Sequence, residues 1–380
     1  MDLQLSYLSF IFHFYIFFRF NLLDDGPSAG VALANILRSL GMIVVGVWTV
    51  NRVMTQMTSL ERLKEYVEFD DHEAEWDQEE DKNLPQKWPT QGRIEMKDLK
   101  VRYREGLPLV LNGLNLTIEP CQKVGIVGRT GSGKSTLMLA LMRILEMADE
   151  GKEDGFVKID GANIYKLGLH KVRSALTIIP QDPFLLEGTL RSNIDPFNIY
   201  KTEELIKTLQ IVEFFSTVQT ETLEKLRKDL KGRKQERQIE KKKIELADDE
   251  LSDEDKLLLP IEQSGSNLSL GQRQLVCIAR ALVNKPKILL MDEATASVDQ
   301  KTDEIIQRVI MEEMNETTIL TIAHRINTII GYDKIVVLKQ GKKQEEGSPI
   351  ELLESGGAFS SMVDDCGAGF RAKMLKILNK

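Results

Sequence analysis

Eight residues, Gly128-Arg-Thr-Gly-Ser-Gly-Lys-Ser135, carry the clearest chemistry in the chain. They fit the spacing G-x-x-x-x-G-K-[ST], follow the apolar stretch KVGIV and lead directly into the helical pattern TLMLALMRIL. Such a loop is a phosphate cradle. Gly128, Gly131 and Gly133 let backbone N–H groups converge on phosphate oxygens at a helix N-terminus, with Thr130, Ser132 and Thr136 in the same turn. Lys134 adds a point charge for the β- and γ-phosphates, and the Ser135 hydroxyl can ligate Mg²⁺. A second element complements it. Lys287-Ile-Leu-Leu-Met-Asp292-Glu293 reads as a buried strand ending in two carboxylates. In open parallel sheets ligands sit beyond the strand C-termini, so Asp292 is expected beside the phosphates, holding Mg²⁺ through water. Glu293 is placed to polarise an attacking water as general base.

GTPases read guanine with N-K-x-D, and the candidate here, Asn284-Lys-Pro-Lys287, lacks the aspartate. From about Gly92 to Phe359 the sequence instead resembles the ATP-binding cassette (ABC) family. Asn267-Leu-Ser269-Leu270-Gly271-Gln272 is similar to its signature, LSGGQ, with leucine at the third position. Pro180-Gln181-Asp182 resembles the Q-loop, Ala296-Ser297-Val298-Asp299 the D-loop, and His324 in TIAHR the H-loop. Tyr103 lies where the family stacks an aromatic ring on adenine, a contact worth ~1–3 kcal/mol. The resemblance implies that Gln181 reaches Mg²⁺ or the attacking water while its loop faces a membrane domain. It implies that His324 steadies the γ-phosphate charge. Ser269, Gly271 and Gln272 would open a helix aimed at the phosphate of an opposite cassette, so that two cassettes sandwich two ATP molecules head to tail.

GIVGRTGSGKST, TIIPQDPFLLEGTLRSNIDPF, GQRQLVCIARAL and DEATASVD narrow the resemblance to the multidrug-resistance-associated subfamily (subfamily C) and its second nucleotide-binding domain. ERLKEY resembles the end of the final membrane helix there. The implied partner is a first cassette with a good glycine signature and a weaker catalytic carboxylate. Leu270 would obstruct the backbone approach that glycine allows, so the composite site using Lys134, Asp292, Glu293 and His324 is expected to hydrolyse ATP and the one using Leu270 mainly to hold it.

The elements that must position these residues are legible as well. From Gly92 onward short apolar strands alternate with helical patterns: RIEMKDLKVRY, QKVGIVG, FVKIDG, ALTIIPQ, KILLMD, TTILTIAH and KIVVLKQG. That alternation predicts an α/β P-loop domain with a covered, mostly parallel sheet, and an antiparallel β portion near residues 92–120. The family adds a helical subdomain.

Composition excludes several other classes. The 380 residues are 42% hydrophobic and 28% charged, ordinary globular usage. A net charge of -8 gives no general pull toward nucleic acid. Cys121, Cys277 and Cys366 stand far apart, which excludes a zinc ribbon or disulfide scaffold and favours a reducing compartment. The sequons at Asn115, Asn267 and Asn315 are accordingly expected to be coincidental.

Apolar residues crowd the N-terminus. Residues 3–20 and 29–50 read as membrane spans, the second interrupted by Arg38, and the basic flank Arg52, Arg62 and Lys64 places the downstream chain in the cytoplasm. The expected layout is a membrane-domain remnant over 1–60, an acidic, proline-bearing linker over 61–91 and a cassette over 92–380. Within the cassette, residues 225–256 form a charged insertion, with 21 of 32 residues charged. The expected function is the ATP-hydrolysing cassette of a membrane exporter whose substrate is not legible. The competing readings are a soluble ABC ATPase of translation or DNA maintenance and a nucleotide-gated module without turnover. Residues 29–50 argue against the first, and the presence of both Glu293 and His324 against the second.

Overall fold

Strand residues of the central sheet alternate between two apolar cores, as a pleat buried on both faces requires. In β9 (Ile288–Asp292), Ile288 and Leu290 face one core while Leu289 and Met291 face the other. In β10 (Thr318–Ile322), Leu320 and Ile322 are paired against Ile319 in the same way. The computed structural model describes residues 11, 15, 26–67, 73–148, 155–218, 252–292, 298–323, 325–367, 369–371 and 374–375. The chain divides into two units, Met1–Glu73 and Ala74–Lys380.

Among the described residues of the first unit, the long element is a helix, α1 (Gly26–Val67). Pro27 falls in its first turn, where a missing N–H costs nothing. Within Leu33–Val67 an 18-residue window reaches a mean hydropathy of 1.6 and is 0% buried, so the helix is long and apolar enough to cross a membrane. Met42, Val45 and Trp48 project from it without protein cover. The hydroxyls of Thr49, Thr55 and Thr58 donate to carbonyls four residues back, so these polar groups are satisfied within the helix. The helix continues past the expected end at residue 50. Of the expected span 3–20, only Ile11 and Tyr15 fall among the described residues.

The second unit holds a four-stranded antiparallel sheet in the order β2-β1-β4-β5, from β1 (Ile94–Val101), β2 (Leu111–Ile118), β4 (Phe156–Ile159) and β5 (Ala162–Asn163). Its partner is a six-stranded sheet, β12-β11-β3-β10-β9-β6, built from β3 (Lys123–Val127), β6 (Leu176–Ile179), β9, β10, β11 (Lys334–Lys339) and β12 (Lys342–Gly347). All neighbours in it pair in parallel except β11 with β12. One core lies between the two sheets around helix α2 (Lys134–Leu141), with Leu137 and Leu141 fully buried. The other gathers the helices of a helical subdomain. These are α4 (Leu190–Ile194), α5 (Thr202–Ile211), α6 (Phe214–Thr217), α7 (Asp253–Leu257) and α8 (Leu270–Asn284), together with α9 (Gln300–Glu312) on the sheet. A short ribbon, β7 (Gly188–Thr189) with β8 (Pro260–Ile261), ties the segment after β6 to the segment before α8.

Residues 74–91, expected as exposed linker, are mostly exposed and are hydrogen-bonded to the rest of the second unit. The main-chain oxygens of Glu75 and Trp76 accept from Leu169 and His170 at 3.1 and 3.0 Å, and Asp81 Oδ1 accepts from Gly168 N–H at 3.0 Å. These N–H groups open helix α3 (Leu169–Ala175), which has no side-chain cap of its own. The acidic segment therefore acts as that helix's cap. The Trp76 and His170 rings stack 5.7 Å apart.

Of the charged insertion, residues 252–256 are described. Ser252 caps α7 by accepting from Asp255 N–H, and Leu257 is buried, so this end belongs to the helical core. The three cysteines are unpaired. Each sequon asparagine has its amide engaged: Asn115 with the main chain of Gly113 and Asp98, Asn267 with that of Pro260 and Glu262, and Asn315 with the Glu312 oxygen and the Lys123 ammonium.

Candidate functional site

The six-stranded sheet sets the site by register. Ile126 of β3 pairs with Ile322 of β10, Ile322 with Asp292 of β9, and Met291 with Ile179 of β6. The carboxyl ends of four adjacent parallel strands therefore finish in one row. Onto that row the chain hangs Gly128 after β3, Asp292 closing β9, and Pro180-Gln181 after β6. One strand separates β3 from β9, so the phosphate loop and Asp292 stand about 10 Å apart in strand spacing. Glu293 follows Asp292 directly and His324 comes two residues after Ile322, but both side chains lie outside the described residues, as does Ser297 of the D-loop.

The loop itself depends on two glycines. Gly128 has φ of 157°, and a Cβ there would collide with the Leu338 oxygen and lie 2.6 Å from Ser132 Oγ. Gly133, the N-cap of α2 at φ of 100°, would push a Cβ to 2.8 Å from Leu111. Both positions need the left-handed region and the space that only glycine leaves. Lys134 is buried, and its ammonium donates to the Gly128 oxygen at 2.9 Å and the Arg129 oxygen at 3.4 Å. Ser135 is exposed at the helix N-terminus, and Thr136 beside it is buried. Tyr103 is half exposed, and its hydroxyl lies 3.3 Å from the Thr136 hydroxyl. The structure thus brings Tyr103, the phosphate loop and Asp292 to one end of the sheet.

The signature segment forms a different surface. Ser269 is the N-cap of α8: its hydroxyl accepts from Gln272 N–H, and Gln272 Oε1 accepts from Ser269 N–H at 2.8 Å. Gln272 Nε2 also donates to the Thr217 oxygen at 2.7 Å, which fixes the helix start to α6. Leu270 is the first helical residue and half-buried. Gly271 packs on the D-loop: a Cβ there would lie 3.1 Å from both Asp299 Oδ1 and Thr302 Oγ1. Asp299 caps α9 by accepting from Thr302 N–H and Oγ1–H, and those bonds hold its carboxyl below the usual range.

Some of these relations are absent from any motif. Thr302, and Gln274 with its amide on the Pro180 oxygen, read as ordinary positions of amphipathic helices. The one signal in the sequence was a glutamine on the apolar face of LGQRQLVCIARALVN. Among the described residues no cluster of three or more His, Cys, Asp or Glu is arranged around a metal. The donors at the row of strand ends are instead a hydroxyl, a carboxylate and an amide oxygen, from Ser135, Asp292 and Gln181. That set suits a hard cation that keeps part of its water.

Such a sheet, with a phosphate loop after β3 and carboxylate and amide at neighbouring strand ends, is that of an ABC-type P-loop ATPase domain. Residues 111–296 match the family model for the ABC transporter. The cassette belongs to the ABC transporter family. The chain is 41% identical over 342 residues to ATP-binding cassette sub-family C member 2 of Mus musculus, covering 90% of this chain and 20% of that protein. It is 44% identical over 324 residues to Bile pigment transporter 1 of Saccharomyces cerevisiae, covering 85% and 19%. It also superposes on a solved structure of a bacterial Atm1-family ABC exporter with ATP bound. That match has a TM-score of 0.63 at 26% identity, covering 90% of this chain and 51% of that one. The chain thus spans about a fifth of the length of these curated relatives.

Proposed function

We propose that this chain is the ATP-binding and ATP-hydrolysing cassette of an ABC exporter of the sub-family C type, attached to the end of a membrane domain. ATP turnover at the row of strand ends would drive transport of a substrate across the membrane. The row itself is the observation that supports this most, since it collects a phosphate cradle, a strand-end carboxylate and an amide at one end of a rigid sheet. In this reading α1 is embedded in the membrane, the region 1–60 belongs to the membrane domain, and the cassette from 92 to 380 is cytoplasmic.

Tyr103 stacks on adenine, held by its hydrogen bond to Thr136. The backbone of Gly128, Thr130, Gly131, Ser132 and Gly133 receives the phosphates, and Lys134 turns from its carbonyl partners toward the β- and γ-phosphate oxygens. Ser135, Asp292 and Gln181 would hold Mg²⁺, which would supply positive charge against the phosphates when bound. Glu293 takes a proton from the attacking water, and His324 donates to the γ-phosphate oxygen that gains charge. Ser269, Gly271 and Gln272 face the phosphate held by a second cassette in a head-to-tail sandwich. Phe184 and Leu186, exposed at 64% and 57% beside Gln181, supply an apolar face for a membrane domain.

The test is steady-state ATPase activity of the full chain in detergent, alone and with a partner cassette carrying an intact glycine signature. Binding of Mg-ATP with slow turnover, accelerated by that partner, is the expected result. Full activity as a homodimer, unchanged by Leu270→Gly, would overturn the asymmetric form of the reading, and absence of ATP binding would overturn all of it.

A further inference from the structure

Helix α8 turns three residues toward the segment after β6. Gln274 Nε2 donates to the Pro180 oxygen at 3.4 Å. The main-chain N–H of Phe184 is directed at the Cys277 thiol, which burial among apolar groups keeps protonated. Arg280 Nε donates to the Asn193 oxygen at 2.8 Å, and Asn193 in turn holds Leu186 by both its N–H and its oxygen, each at 2.8 Å. Positions 274, 277 and 280 succeed one another at three-residue steps on one side of the helix, so the contacts form a ladder along the loop.

The first rung differs from the others. Gln274 is 1% exposed, and its Oε1 is a buried acceptor with no hydrogen-bond partner among the described residues. A buried amide oxygen left unpaired is costly, so a half-used glutamine at this depth calls for a role. Its used half grips the carbonyl of the residue immediately before Gln181. Five residues upstream on the same helix is Ser269, the signature N-cap.

We propose that Gln274 is a positioning residue that couples the signature helix to the Gln181 loop. Its donor half holds the loop in the state described here, and its acceptor half takes an amide N–H of the loop when the loop moves onto bound nucleotide. This rests on the ATP-hydrolysing reading above.

The experiment uses the full chain in detergent with Gln274→Met, which keeps length and removes both polar functions, and Gln274→Glu. Hydrogen exchange without nucleotide should show the amides of residues 181, 182 and 184–186 exchanging about tenfold faster in Gln274→Met, with those of 282–284 unchanged. In ATPase assays with the partner cassette, kcat should fall about tenfold or more with KM nearly unchanged. A glutamate so deeply buried takes up a proton readily and then carries both an O–H donor and an acceptor oxygen. The ratio of Gln274→Glu to wild-type kcat should therefore rise as pH is lowered, a profile that loss of packing alone does not give. Wild-type exchange over 181–186 in Gln274→Met, or a flat pH ratio for Gln274→Glu, would overturn the proposal. Exchange is measured without turnover, so an inactive wild type would count against the ATPase reading and leave the latch to be judged on exchange alone. Should Gln274→Met not fold, exchange and kcat of Gln274→Glu across the pH range decide the matter.

Discussion

The Lys134 ammonium donates to the main-chain oxygen of Gly128, the first residue of its own loop, across 2.9 Å. The lysine therefore spans the cradle from one end to the other, with two main-chain oxygens among its partners. Exchanging these two neutral acceptors for phosphate oxygens strengthens both bonds.

Lys134→Ala should weaken ATP binding by about 2–3 kcal/mol, roughly 30- to 150-fold in Kd. Calorimetric titration of Mg-ATP into the full chain measures it, with circular dichroism as the control for folding. Wild-type affinity in a folded variant would remove Lys134 from the site.

Glu293→Gln should leave ATP affinity within about twofold and slow turnover by about 10²–10⁴-fold, since the amide keeps the shape and cannot accept the proton. Paired binding and single-turnover measurements separate the two effects. Equal losses in binding and turnover would contradict the division of labour between Lys134 and Glu293.

Gly168→Ala probes the acidic strap. Its φ of -64° suits alanine, yet a Cβ there would lie 2.6 Å from Asp77 Cα, from Asp81 Oδ2 and from the Trp76 oxygen. Backbone atoms cannot step aside cheaply, so either the strap lifts or the cassette loses about 1–3 kcal/mol. Limited proteolysis near residues 75–84 and a thermal melt distinguish these outcomes. An unchanged melt with an unchanged cleavage rate would refute the packing argument.

Asp160 gives a pH dependence with a definite sign. Partial burial pushes its carboxyl upward. Four backbone N–H groups, from Gln91, Arg93, Gly92 and Thr90, outweigh that together and leave it below its ordinary 3.8. A carboxyl depressed by folding contributes stability that is fully present above its unfolded value and lost as pH falls through the folded one. The stability difference between wild type and Asp160→Asn should hence be constant from pH 6 to 8, at about 1 kcal/mol, and shrink below about pH 4. Urea melts across that range test it, and a difference that grows toward acid would reverse the assignment.

The legible part of this chain is what one segment can state by itself. KVGIV followed by Gly128–Ser135 specifies strand, loop and helix in consecutive residues, and KILLMD announces a buried strand with a carboxylate at its end. The α/β class and the antiparallel portion near β1 and β2 were readable for the same reason. Relations between distant segments were not. The run from Glu75 to Asp81 has the acid content of a solvated linker, and only the open N–H groups of Gly168, Leu169 and His170 reveal why it docks. Gln274 looks like any helical glutamine until Pro180, 94 residues away in sequence, is brought against it. Ser252 to Lys256 reads as more of the charged insertion, although Leu257 anchors that end in a core.

Because Gly128, Asp292 and Gln181 hang on the ends of a hydrogen-bonded row of strands, chemistry and placement are inherited separately in this molecule. A change at a strand end alters one reagent and leaves the scaffold standing. A change inside β10, which lies between β3 and β9, shifts the common baseline from which all the reagents are measured. Variants of the first kind will accumulate as folded, inert protein, and variants of the second kind as protein cleared by quality control. The abundance of a defective variant, measured before any assay of activity, therefore tells which of the two inheritances was damaged.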